Sequence, residues 1–363
     1  MKVSFTTRFR RLRAGLRRAR AAALLVSHRP NIFYLTGFSG DDGMLVVSHS
    51  KSILLTDPRF ETQAPVECRD SPIRVAVTRR PLVEAAGELL ASIHGRGTVA
   101  FEEDRLTVGQ LRQAREAAGS RWGWTPAPGM VEALREVKDE DEIVRMRAAA
   151  RTVSRVVQYA VQVARAGVRE LDVAAEIEYR MKKLGAEGPS FETIVASGAR
   201  SALPHGRASS KRLKEKDLVV LDLGVILHGY CSDLTRTIHV GRASSEVRGW
   251  YKAVLEAQTA ARAAVSAGVE AAAVDEAARS VLRVRALDGY FIHSTGHGLG
   301  LEVHERPSLR KGEKSALKAG SVVTIEPGIY LPGRGGIRIE DDVLVLERGS
   351  ETLTSASREL IEV

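Results

Sequence analysis

A weak internal repeat limits what this chain can fold into more than any other feature. Ala166-Gly-Val168 followed by Val173 recurs as Ala267-Gly-Val269 followed by Val274. Further on, Val219-Val-Leu-Asp222-Leu-Gly224 recurs as Val322-Val-Thr-Ile-Glu326-Pro-Gly328, with one small insertion between the copies. Each copy runs from one helical pattern into another, then into an apolar run that ends in an acid. Residues from about 130 onward therefore read as two related halves, each a pair of helices followed by carboxylate-bearing strands. A duplication of this kind sets equivalent ends face to face, and a site between them draws ligands from both.

The strands carry the chemistry. Asp222 closes the apolar run Leu218-Val-Val-Leu221, where an unpaired carboxylate would be costly unless neutralised or metal-bound. The next strand, Tyr230–Ile238, alternates, putting Cys231, Asp233, Thr235 and Thr237 on one face. The second half repeats the plan: Glu326 ends Ser321–Ile325, and Glu340 lies on Ile337–Leu346 with Arg338 on its own face. A fifth group comes from His293-Ser-Thr-Gly-His297-Gly-Leu-Gly-Leu-Glu-Val-His304, which holds three of the nine histidines. Its glycines Gly296, Gly298 and Gly300 permit close backbone approach.

Four carboxylates and an imidazole suit two fairly hard divalent cations. Mn²⁺ is expected first, with Co²⁺ or Zn²⁺ as alternatives. Two such ions about 4 Å apart can share a hydroxide and clamp a tetrahedral intermediate. Singly, each acid reads as well as a cap or a loop residue, and the acidic pair after Glu340 reads as solvated. The joint arrangement across both halves is what carries the metal reading. Cys231 reads as packing, because thiolates at metal sites commonly come in groups.

The first part of the chain has a different rhythm. Short strands at 23–27, 44–48, 52–56, 73–77 and 98–101 alternate with helical patterns near 80–93 and 106–118, which predicts an α/β domain. Two prolines and a glycine in Trp124-Thr-Pro-Ala-Pro-Gly129 mark a break. Beyond it, Ile143, Met146, Ala150, Val153, Val157, Ala160 and Ala164 recur at helical spacing, and Gly167 supplies a stop. The expectation is an α/β two-domain chain, with an N-terminal α/β domain of mixed sheet at 1–128 and a pseudo-symmetric α+β domain at 129–363. The first domain is assigned control of substrate length and contacts between subunits.

Charge could point elsewhere, since the chain is +9 at neutral pH. Residues 1–20 hold eight basic side chains (Lys2, Arg8, Arg10, Arg11, Arg13, Arg17, Arg18 and Arg20) and no acidic one, so the remainder is close to neutral. Phe9, Leu12 and Leu16 fall at helical spacing, and the arginines read as the wet face of an amphipathic helix rather than a nucleic-acid surface. No apolar run approaches the roughly 20 residues needed to span a bilayer. With only Cys68 and Cys231 there is no disulfide framework, and a cytoplasmic location is expected.

Phe191-Glu-Thr-Ile-Val-Ala-Ser-Gly198, Leu203-Pro-His205-Gly, Gly229-Tyr-Cys-Ser-Asp-Leu-Thr-Arg236, Thr295-Gly-His-Gly298, Val303-His-Glu305, Glu326-Pro-Gly-Ile-Tyr330 and Gly336-Ile-Arg-Ile-Glu-Asp341 together resemble the pita-bread metallopeptidases. Within that family the branch they resemble is the Xaa-Pro peptidases, aminopeptidase P and prolidase. The resemblance runs through residues 130–363 and more weakly into the first domain, at Tyr34-Leu-Thr-Gly-Phe38 and Asp57-Pro-Arg-Phe60.

It implies Asp222, Asp233, His297, Glu326 and Glu340 as metal ligands, with Asp233 and Glu340 bridging both ions and Glu326 also shuttling a proton. It implies His205 and His304 at the scissile carbonyl, and His293 and His205 in substrate binding, His293 on the proline side. Arg338 would support Glu340. A homodimer acting on proline-containing peptides follows from the same resemblance, and aminopeptidase activity is favoured over dipeptidase activity. Methionine aminopeptidases lack so large a first domain, and creatinase lacks the ligands. An inactive binding module would be expected to have lost some of these histidines. Two departures stand out: the acidic segment Gly40-Asp41-Asp42-Gly43, read as an exposed turn, and Phe60, which stands where relatives often carry tyrosine.

Overall fold

The computed structural model describes residues 5–93 and 96–363; Lys2 of the basic segment lies outside them. The chain divides into two compact units after Arg135. Trp124-Thr-Pro126, expected within the break, instead forms the end of a strand, Trp122–Pro126. That strand is the edge of its sheet, where a residue without an N–H is tolerated.

In the first unit, six strands form one mixed sheet in the order Arg74–Val77, Ser52–Thr56, Gly43–Ser48, Ala23–Val26, Gly97–Phe101, Trp122–Pro126. The last three run parallel to one another, and Gly43–Ser48 is antiparallel to both its neighbours. Helices Leu82–Ser92 and Val108–Ala118 pack Ala86, Leu90 and Ala114 against Leu25, Val46 and Val99. The N-terminal helix Phe5–Arg18 buries Phe9, Leu12 and Leu16, as their spacing predicts. Not all its arginines are wet, however. Arg8 is buried, lies over the Tyr34 ring at 4.1 Å and donates to the Tyr34 carbonyl at 2.6 Å. Arg13 turns inward to the Ser48 carbonyl and the Ser52 hydroxyl. Asp42 is ion-paired with Arg59 at the exposed turn, and Phe60 packs edge-on against Phe38.

The second unit shows the duplication. Helices Glu140–Val163 and Glu170–Lys183 precede strands Ile194–Ser197, Leu218–Leu223 and Leu234–His239; helices Ser245–Ala264 and Ala271–Val284 precede strands Gly296–Gly298, Glu305–Leu309, Val322–Ile325 and Asp341–Val345. The repeated Ala-Gly-Val segments make the same turn twice. Gly167 and Gly268 both adopt positive φ, at 88° and 84°, which glycine does without strain. Their N–H groups donate to the Leu213 and Leu317 carbonyls, and those leucines return bonds to Val168 and Val269, all four at 2.8 Å. Each half has its own core. One includes Val157, Ile177, Leu221 and Ile238, and the other Val254, Val274, Val323 and Val343.

Two expected long strands are each broken in the middle. Tyr230–Ile238 divides into Tyr230–Cys231 and Leu234–His239, and Ile337–Leu346 into Gly335–Arg338 and Asp341–Val345. The gaps hold Asp233 and Glu340, acids that leave the ladder and turn toward the space between the halves. Among the described residues no helix is long and apolar enough to cross a membrane.

Candidate metal centre

A cavity of about 660 Å³ lies in the second unit, and Asp222, Asp233, His297, Glu326 and Glu340 all line it. His205, His293, His304 and Arg338 line it too, so every site residue expected from the sequence reaches one place. Donor atoms of Asp233, His297 and Glu340 lie within 4.8 Å of one another. His297 Nε2 stands 3.4 Å from Glu326 Oε1 and 3.8 Å from Asp233 Oδ2.

The glycine-rich strand brings His297 this close. A Cβ on Gly296 would sit 1.9 Å from the Thr324 carbonyl oxygen, and one on Gly298 would sit 2.1 Å from that of Arg306. Only glycine permits that approach. The strand is also held from behind, where Asp275 on helix Ala271–Val284 accepts from the Thr295 N–H at 3.1 Å and hydroxyl at 2.8 Å. The His297 ring is oriented by its own backbone, since Nδ1 is 3.0 Å from the Gly298 carbonyl. A carbonyl only accepts, so Nδ1 carries the proton and the Nε2 lone pair faces the carboxylates. Burial, with His304 adding to it, lowers the His297 pKa to about 4, which keeps the ring neutral.

The acids are crowded. Burial raises Asp233 well above the ordinary range, with Glu340 and Asp222 adding repulsion, and it raises Glu340 likewise beside Glu326 and Asp222. Glu326 is pushed up to about 8 by burial, with Arg338 opposing and Asp222 reinforcing. Oδ1 of Asp222, Oδ1 of Asp233 and Oε1 of Glu340 are buried with no hydrogen-bond partner among the described residues. Buried carboxylate oxygens are ordinarily satisfied. Three orphans aimed into one cavity beside a neutral imidazole lone pair fit divalent cations, and oxygen-rich donors with one nitrogen are the set such ions take.

Arg338 does not hold Glu340 directly, as its place on the strand suggested. Its guanidinium pairs with Asp222, donates from Nε to Thr235 Oγ1 at 3.0 Å and from Nη1 to the Tyr330 hydroxyl at 2.7 Å. The strand break after Arg338 turns Glu340 away from it, and Thr235 fills the gap by donating to Glu340 Oε2 at 2.6 Å. Tyr330 in turn donates to His293 Nε2 at 2.8 Å, the other ring nitrogen being committed to the Ser294 carbonyl. His293 is thus a neutral, fully satisfied ring, its pKa lowered to about 4 chiefly by burial. His205 and His304 stand exposed at the rim, with the His304 ring 4.3 Å from that of His297.

Thr235 and Tyr330 hydrogen-bond the site residues Glu340, Arg338 and His293 without being singled out by the sequence pattern. Thr235 had left a signal, because its alternation put it on the face of Asp233. The acidic pair Asp341 and Asp342, for which a solvated position is the plain expectation, is instead enclosed. Both are buried, Asp341 held by Arg236, Arg358, Gln258 and Thr354, while Asp342 accepts from the Asp233 N–H at 3.1 Å. Cys231 is buried and burial raises its thiol pKa, so it stays protonated and packs.

Residues 144–347 match the family model for metallopeptidase family M24, and residues 8–137 that for the creatinase/prolidase N-terminal domain. A Xaa-Pro dipeptidase of Pyrococcus horikoshii is 37% identical over 93% of this chain and 94% of its own. The solved structure of a Xaa-Pro dipeptidase from Bacillus anthracis superposes with a TM-score of 0.95 at 36% identity, covering 99% of this chain and 100% of that one. An X-Pro aminopeptidase from Thermotoga maritima gives 0.89 at 37% identity, over 96% of this chain and 100% of that one.

Proposed function

Because this chain belongs to metallopeptidase family M24 and carries a creatinase/prolidase N-terminal domain, we propose that it hydrolyses the bond between an N-terminal residue and proline. The observation that carries the reading is the set of three buried, unpartnered carboxylate oxygens of Asp222, Asp233 and Glu340 around His297. Asp222, Asp233, His297, Glu326 and Glu340 would hold two divalent ions, Mn²⁺ first and Co²⁺ or Zn²⁺ next. When bound, such a pair supplies Lewis-acid polarisation and a water acidic enough to react near neutral pH.

The chain's own residues do the rest. Arg338, Thr235 and Tyr330 hold Asp222, Glu340 and His293 at fixed angles, so little reorganisation is left for the reaction itself. Glu326 would take up a proton from the attacking water, and its carboxyl would then give that proton to the proline nitrogen as it leaves. That nitrogen belongs to a tertiary amide without an N–H, so it must gain a proton to depart. His205 and His304, at the rim, are placed to donate to the scissile carbonyl as its oxygen gains charge. His293, neutral and packed edge-on against Phe291, offers a flat wall to the proline ring.

An Xaa-Pro aminopeptidase is the leading reading, because both guanidinium groups in the cavity wall are committed, Arg338 to Asp222 and Arg207 to Glu192. The free carboxylate of a bare dipeptide therefore meets no unpaired guanidinium among the lining residues of this wall. The named dipeptidases among the relatives favour the second reading, a Xaa-Pro dipeptidase. Two buried free cysteines support a reducing, cytoplasmic setting, and the resemblance supports a homodimer. Hydrolysis of Xaa-Pro and Xaa-Pro-Yaa should be compared with Mn²⁺, with Co²⁺ and after chelation. Cleavage of the tripeptide with metal is expected; cleavage of the dipeptide alone selects the second reading, and full activity after exhaustive chelation overturns the metal centre.

A further inference from the structure

We propose that the first unit carries a polynucleotide-binding surface, built where the end of its N-terminal helix meets one end of its sheet. Residues 1–135 hold 21 basic and 13 acidic side chains, so this unit has eight of the nine net positive charges. The helix alone reads as a solvated face. The sheet adds something the linear sequence does not display. Ala23–Val26, Gly97–Phe101 and Trp122–Pro126 are parallel neighbours, and the Ala22 N–H bonds the Thr98 carbonyl. Arg20, Arg96 and Arg121 therefore enter the sheet from the same end, on strands about 4.8 Å apart. Gly97 pairs with Trp122, so the two arginines just before them stand side by side. Arg17 and Arg18, the last residues of Phe5–Arg18, lead directly into Arg20.

All five of these arginines are exposed, and none is in an ion pair among the described residues. Some exposed arginines elsewhere in the chain are matched, as Arg80 is to Glu88 and Arg283 to Glu276; what sets these five apart is that they gather at one end of one sheet. Arg17 and Arg18 complement the negative end of their helix, whereas Arg96 and Arg121 follow helices Leu82–Ser92 and Val108–Ala118 by four and three residues, beyond the last turn where that effect is felt. Unmatched arginines on neighbouring strands at one sheet end fit a linear polyanion with closely spaced charges better than a single anion. Guanidinium forks engage phosphate oxygens bidentately. None of the large exposed apolar side chains belongs to these segments, which disfavours insertion into a lipid surface. The partner that fits is the phosphate backbone of a nucleic acid, bound without sequence preference.

Fluorescence anisotropy of the full-length protein with a labelled duplex of about 25 base pairs tests this. Neutralising about five phosphates predicts a log–log salt slope of about −4.5, a loss of roughly 500-fold between 50 and 200 mM salt. The triple variant R18E/R20E/R121E should bind at least about 100-fold more weakly at 50 mM salt, with peptidase turnover and melting temperature retained. No binding at 50 mM salt, or equal binding by the variant, overturns the proposal. It is also overturned if phosphatidylserine vesicles bind more tightly than the duplex through these same arginines, since the surface would then be a membrane contact.

Discussion

Thr235 donates its hydroxyl proton to Glu340 Oε2 at 2.6 Å, across the join between the two halves of the second unit. The same hydroxyl oxygen accepts from Arg338 Nε at 3.0 Å, and the Thr235 carbonyl accepts the Glu340 N–H at 3.1 Å. One short side chain thus fixes the angle of a carboxylate from the opposite half and passes Arg338's influence to it. Thr235→Val keeps the shape and deletes the hydroxyl. Metal affinity and kcat/KM are expected to fall about 10- to 100-fold, with Thr235→Ser recovering most of both. Calorimetric titration of the metal-free protein with Mn²⁺ reads the first, and tripeptide kinetics the second. Unchanged metal affinity in the valine variant would show that Thr235 only packs.

Asp233 and Glu340 each occupy a gap between strands and each carry an unpartnered buried oxygen. Replacing either by alanine should abolish turnover. It should not unfold the metal-free protein, because the change relieves like-charge repulsion among buried acids. The expected melting temperature without metal is equal to or above that of the parent, and the rise produced by Mn²⁺ is lost. Cys231→Ser, on the neighbouring strand, is the contrast, with turnover within about threefold and a modest loss of stability from a buried hydroxyl. A collapse of turnover in that variant would contradict a packing role for the thiol.

The carboxylate cluster ties stability to pH in a definite direction. Glu326 is raised to about 8, and Asp233 and Glu340 lie well above their ordinary values, all chiefly through burial. In each the folded state holds the proton more tightly than the unfolded chain does. Their contribution is therefore complete below the unfolded values near pH 4 and is lost as pH rises toward 8. A bound dication reverses this by favouring the charged forms. The difference in melting temperature between Mn²⁺-loaded and chelated protein should widen between pH 5 and pH 8, by roughly 5 °C or more. Differential scanning measurements at four pH values decide it; a constant difference would mean that these acids are not protonated together in the metal-free fold.

Much of the second unit was legible in the sequence because duplication writes the same signal twice. The pairs Gly167 with Gly268, and Asp222 with Glu326, mark equivalent turns and equivalent strand ends, and both survive in three dimensions. The strand breaks at Asp233 and Glu340 were not legible, because polar–apolar alternation continues through them while the backbone leaves its ladder. The partners of Asp341 were hidden for another reason. Arg236, Gln258 and Arg358 come from three separate elements, and only folding shows that an acidic pair beside a strand is enclosed. Arg338 was assigned to Glu340 by counting two residues along one strand, an argument that fails once the strand stops between them.

Tyr330 links Arg338, which fixes Asp222, to His293, which walls the cavity. Its hydroxyl accepts from the first and donates to the second, so Tyr330→Phe cuts the link without changing the ring's volume. His293 then loses the partner of Nε2 while its Nδ1 bond to Ser294 remains, which frees the ring to rotate about that bond. The carboxylates and His297 keep all their own hydrogen bonds. The expected effect is therefore on substrate positioning: KM for Xaa-Pro-Yaa rises about 10-fold with kcat reduced less than threefold, and Mn²⁺ affinity is unchanged. Steady-state kinetics with and without proline in the second position separate this from a general loss. If kcat falls as far as kcat/KM, Tyr330 instead acts in the transition state itself, through Arg338 and Asp222.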